Sequence, residues 1–138
     1  MSALAELARA HLGRRERAWA EAIFAAILAP ETAGLPAFES IDRDAFWRCL
    51  DRAPGVLLGH GLRAMIHTVT FLPLTDRRYR RPFFALAPEA RQAVVAELDH
   101  HPRFLLRQTL ETLKLLACFA YFDDAAVRAR FPGPGPRP

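Results

Sequence analysis

Residues 103–122, RFLLRQTLETLKLLACFAYF, limit more than any other segment how this chain folds. Their charges, Arg103, Arg107, Glu111 and Lys114, are spaced by four, four and three residues and fall on one narrow helical stripe. Arg107 and Glu111 are expected to pair across a turn. Nearly every other position is apolar, from Phe104 and Leu105 to Tyr121 and Phe122. Such a helix runs roughly 30 Å. Being apolar on most sides, it belongs either at the axis of a bundle or with one side against another chain. We expect it at the heart of the fold, with apolar residues elsewhere left uncovered.

The rest of the chain reads as further helices with short breaks. Ser2 is placed to cap a first helix, SALAELARAHL, which Gly13 breaks or bends. A second runs from about Arg14 to Leu28, with Trp19, Ile23, Ala26 and Ile27 at helical spacing, and Pro30 stops it. Glu31–Ser40 holds Gly34 and Pro36 and reads as a loop. Asp42 caps a third helix, in which Phe46, Cys49 and Leu50 share a face. After Pro54-Gly55 a fourth runs from Val56 to Phe71, with Gly59 and Gly61 flanking His60. Two glycines in one turn lower helix propensity by roughly 1–2 kcal/mol, and close helix packing is their expected reason. Pro88 opens a fifth helix, PEARQAVVAELDHH, and Pro102 opens the long one. Asp123 is placed to cap a last short helix, DDAAVRARF. No alternating run competes for a strand. The expected fold is therefore all-α: one compact bundle of five to seven helices over residues 1–131, then an extended or disordered Pro/Gly-rich tail, 132–138.

At 138 residues the chain is one domain long and needs no disulfide or metal to fold. Cys49 and Cys118 have no zinc or CxxC spacing, and their apolar neighbours mark two buried thiols. The longest uncharged run, Ala64–Thr75, is too short for a membrane span. Arg14-Arg15 before an apolar stretch resembles a twin-arginine signal, but Glu16, Arg17 and Glu21 interrupt it, so an amphipathic helix and a cytoplasmic protein are expected. The mean hydropathy of +0.01 is high for a small lone protein and hints at a covered interface.

The net charge is +4, and Asp76–Pro82 (DRRYRRP) carries four arginines against one aspartate. So local a charge argues against a generally basic nucleic-acid protein. Arg77, Arg78, Tyr79, Arg80 and Arg81 read as a solvated loop or a rim for protein contact, with phosphate gripping as a third possibility. The greasy FFALAP that follows makes Phe83, Phe84 and Leu86 candidates for an uncovered interface core, the competing reading being that the phenylalanines close the bottom of the bundle. His60 and His67 lie too far apart along one helix to share a metal without further ligands. His100 and His101 suit a helix C-terminus. No phosphate loop, nucleophile elbow or HExxH stands in the sequence, so no catalytic, cofactor-binding or metal-ligating residue is assigned.

ERAWAEAIFAAILAPE, LPAF, APGVLLGHGLRAMIHTV, FFALAPEARQAVVAELDHHP and LRQTLETLKLLACFAYFDDAAVRARF together resemble the small-subunit family of membrane-associated gluconate 2-dehydrogenase, subunit 3. The same module is similar to the helical N-terminal region of long-chain alcohol oxidases of the GMC flavoprotein class. The likeness spans about residues 15–134 and is most specific at Leu113-Lys114, Tyr121–Asp124 and Ala126–Arg128. Leu86, Glu89 and Arg91 carry its second strongest part. The resemblance implies a helical, cofactor-free accessory subunit beside a large subunit that alone binds FAD and oxidises an alcohol, sugar or sterol-like substrate. Exported members carry a clear twin-arginine signal that this chain lacks. Phe131–Pro134 stands where fused members lead into the flavin domain, which fits a free-standing small subunit. Two other readings stay open: a stand-alone helical protein with an apolar pocket, and a nucleic-acid module built on Arg77–Arg81.

Overall fold

The computed structural model describes residues 12–28, 36–51 and 56–130, with the side chains of 51 and 56–60 left aside. The expected first helix, its Ser2 cap and the 132–138 tail lie outside the described residues. The described residues are all-α. Six helices follow one another: α1 (Arg14–Ile27), α2 (Arg43–Asp51), α3 (Val56–Phe71), α4 (Pro88–Asp99), α5 (Phe104–Phe122) and α6 (Ala125–Arg128). Three single turns of 3₁₀-helix join them: η1 (Phe38–Ser40), η2 (Leu72–Thr75) and η3 (Phe83–Ala85). None of these helices is long and apolar enough to cross a membrane.

Local chemistry sets several boundaries. Asp42 Oδ1 accepts the Ala45 N–H and caps α2. Glu16 Oε1 accepts the Gly13 N–H at the start of α1, satisfying one of the donors a helix leaves over. Pro88 stands in the first turn of α4. The cap of α6 is Asp124, whose carboxylate accepts the Ala126 and Val127 N–H groups. The expected cap, Asp123, sits one residue early and pairs with Arg128 instead. Asp124 also accepts the Asp42 N–H, tying the starts of α2 and α6 together.

The centre of the bundle is α1, not the long α5. The α1 helix touches α3, α4, α5, η1 and η3, and every residue from Trp19 to Leu28 is at least half-buried. Ala20, Ala22, Ala25 and Ala26 keep its girth small, so neighbours close in on all sides. Phe24 meets Phe46 and Trp47 from α2, and Phe46 also meets Phe38 from η1, in tilted and edge-on ring pairs. By contrast α5 buries one face, Leu110, Leu113, Ala117, Ala120 and Tyr121, against α1 to α4 and α6, and leaves the other face open. The Tyr121 hydroxyl donates to the Pro36 carbonyl at 2.5 Å. Arg107 does not reach for Glu111. It donates to the carbonyls of His101 and Pro102 and pins the turn between α4 and α5. Lys114 bridges the same two helices to Asp99 at 2.7 Å.

Two further expectations change. A Cβ added at Gly61 would meet nothing within 4 Å, so close packing is not why glycine stands there. Cys49 is buried as expected, but Cys118 is exposed because it lies on the open face of α5.

Candidate functional site

The segment Asp76–Leu86 leaves η2, crosses the end of the bundle as the arginine loop and returns through η3 to α4. Asp76 organises the loop. Its carboxylate accepts the Arg78 N–H at 2.9 Å and the Arg78 guanidinium, while Glu97 of α4 takes a second guanidinium nitrogen at 2.8 Å. The Arg78 side chain holds the Asp76 carboxyl below its ordinary range, and the two carboxylates raise Arg78 further still. Burial and the neighbouring Glu97 push the Tyr79 hydroxyl up. Arg80 takes a positive φ of 49°, which turns the chain back toward η3. Arg77, Arg80 and Arg81 are exposed and Tyr79 is half-buried. An open cleft of about 430 Å³ lies under this loop, walled by Asp76, Tyr79, Glu97, Leu98 and His101.

The greasy half of the segment divides by residue. Phe83 is wholly buried and Leu86 nearly so, which corrects their assignment to an uncovered surface. A 3₁₀ turn advances about 120° per residue, so neighbours cannot both face the core. Phe83 takes the core place and Phe84 stays 40% exposed. The Phe84 ring lies parallel to Trp19, 5.8 Å between centroids. Trp19 also meets His67 and Phe71 of α3 edge-on, at 5.5 and 5.3 Å. Leu74, one turn beyond Phe71, is exposed as well. An aromatic face thus centres on Trp19, with Phe71 and Phe84 against it.

One edge of that face is polar. Glu16 accepts from His67 Nε2 at 2.6 Å, and Arg63 Nε stands 3.0 Å from the same carboxylate as an ion pair. Burial pushes the Glu16 carboxyl up, but the Gly13 N–H, His67 and Arg63 outweigh it and hold it below its ordinary range. Glu16 and His67 were not among the candidates read from the sequence. They lie 51 positions apart, and only the packing of α1 on α3 brings them together. Among the described residues, no three His, Cys, Asp or Glu side chains converge as metal ligands would.

The chain matches no family model, no curated protein and no solved structure.

Proposed function

We propose that the chain is a non-catalytic subunit that packs against a separate FAD-dependent oxidoreductase of the GMC type, the partner oxidising an alcohol, sugar or sterol-like substrate. The observation that carries the docking role is the aromatic face around Trp19, where Phe71 and Phe84 hold large apolar surface open beside a polar edge of Glu16, Arg63 and His67. Buried aromatic anchors inside a charged or polar rim are the usual energetic centre of protein interfaces. The kind of partner rests on the sequence resemblance to the gluconate 2-dehydrogenase small subunit. The contribution of this chain is packing: it covers apolar surface of the large subunit and holds that subunit in its flavin-competent shape. No FAD contact is assigned to this chain, and the cytoplasm is its proposed place of action.

The arginine loop fits the rim of such an interface better than a nucleic-acid grip, since Arg78 is already held by Asp76 and Glu97. The test is purification of the full tagged chain from its own cells, followed by flavin absorbance of what comes with it. The expected result is a stoichiometric FAD-containing large subunit, lost when Phe84 is changed to Ser while the lone chain keeps its helical circular dichroism. A chain that purifies without flavin, or with nucleic acid that Arg77→Ala and Arg81→Ala remove, overturns the proposal.

A further inference from the structure

The open face of α5 is larger than the face around Trp19 and is built differently. Phe104, Gln108, Glu111, Leu115, Cys118 and Phe122 are all exposed, and they follow one another at steps of four, three, four, three and four. That is the spacing of a helix–helix seam. Leu105 and Phe119 stand along one side of it. Phe104, Leu105, Leu115, Phe119 and Phe122 are 45% to 77% exposed. A large side chain presents roughly 150–250 Å², so these five leave on the order of 600 Å² of apolar surface open per copy. A lone domain rarely carries more than that in one patch, and a standard interface takes about 800 Å² from each partner.

We propose that two copies of this chain pair through the outer faces of their α5 helices, antiparallel and in full overlap. A two-fold axis near Thr112–Leu113 brings Phe104 and Leu105 of one copy against Phe119 and Phe122 of the other, and repeats that cluster at the far end. The charges select the direction. Glu111 is the one ionised side chain on the seam. In the antiparallel arrangement it falls beside the other copy's Lys114, on the same side of the pair, and Lys114 has a proton to spare beyond its bond to Asp99. A parallel arrangement sets Glu111 against Glu111 and aligns the two helix dipoles unfavourably. The pairing uses a different face from the one around Trp19, and so stands whether or not the partner reading does.

The register makes the proposal testable with the thiol the chain already has. Full overlap places Gln108 opposite the other copy's Cys118, while the two Cys118 residues stand roughly 15 Å apart along the axis. Sedimentation equilibrium of the full chain is expected to give twice 15.5 kDa at micromolar concentration. Leu115→Glu with Phe119→Glu is expected to weaken pairing about 30-fold or more, as loss of interface anchors does. Both sites are exposed, so circular dichroism should not change. Mild oxidation is expected to leave the wild type uncrosslinked and to crosslink Gln108→Cys, but not Gln108→Cys with Cys118→Ser. Phe84→Ser leaves all of this unaltered. A monomeric wild type, a dimer indifferent to the two glutamates, or a Cys118–Cys118 crosslink overturns the proposal. If the glutamate variant fails to fold, the crosslinking pattern decides alone.

Discussion

Phe83 and Phe84 are chemically identical neighbours with opposite environments. Phe83 is enclosed, so Phe83→Ala should destabilise the chain by about 3–5 kcal/mol, the usual cost of an aromatic cavity. Phe84 keeps one side in solvent, and Phe84→Ala should cost roughly 1 kcal/mol, mostly its stacking on Trp19. Urea unfolding of the two variants measures the difference, and equal losses would contradict the division of labour described for η3. Gly61 offers the reverse case. It stands inside α3 with open space where a Cβ would go, so Gly61→Ala should stabilise by about 0.5–1 kcal/mol. A loss of stability in the same urea titration would show that some neighbour or backbone strain needs the glycine. The FFALAP pattern announced that aromatic residues matter here. Which of the two faces the core is set by the angle at which the 3₁₀ turn docks on α1, and no local pattern encodes that angle.

At the level of elements, short helices and turns depend on single polar side chains. Asp124 caps α6 through two N–H groups and also accepts the Asp42 N–H at the start of α2. Asp124→Ala should cost about 1–2 kcal/mol, at the upper end for a cap because two helix starts lose a partner. Hydrogen exchange should rise at Ala126 and Val127 and also at Asp42, and exchange unchanged at Asp42 would remove the link between the two helices. Helix extents were largely legible in advance, because Pro88 and Pro102 break the chain and Asp42 caps it. The partners of the charges were not. Arg107 lies one turn from Glu111 in sequence, yet two carbonyls left over at the α4–α5 turn offer its guanidinium better geometry.

At the scale of the whole molecule, three carboxylates among the described residues are held low and respond to acid. Arg78 holds Asp76 low and Lys114 holds Asp99 low. Glu16 is held low against its own burial by Gly13, His67 and Arg63. A carboxyl whose folded pKa is depressed contributes stability above its unfolded value and loses it as pH falls through the folded one. For Glu16 the contribution is complete above about pH 4.5 and fades below it. Glu16→Gln should therefore lower stability by about 1–2 kcal/mol at neutral pH and flatten the fall in acid. Thermal melts of both chains from pH 7 to pH 3 test this, and parallel curves would deny Glu16 the role. By itself the amino-acid sequence determined the helical class, most helix extents among the described residues and the fact that α5 is apolar on most of its sides. Those properties follow from periodicity, proline and charge spacing, which act along the chain. Only the tertiary structure decided that slender, alanine-rich α1 takes the centre, that α5 lies at the edge with half its apolar surface open, and that Glu16 meets His67. Each depends on which helix faces which, and that choice is settled by how side chains of different girth fill space together.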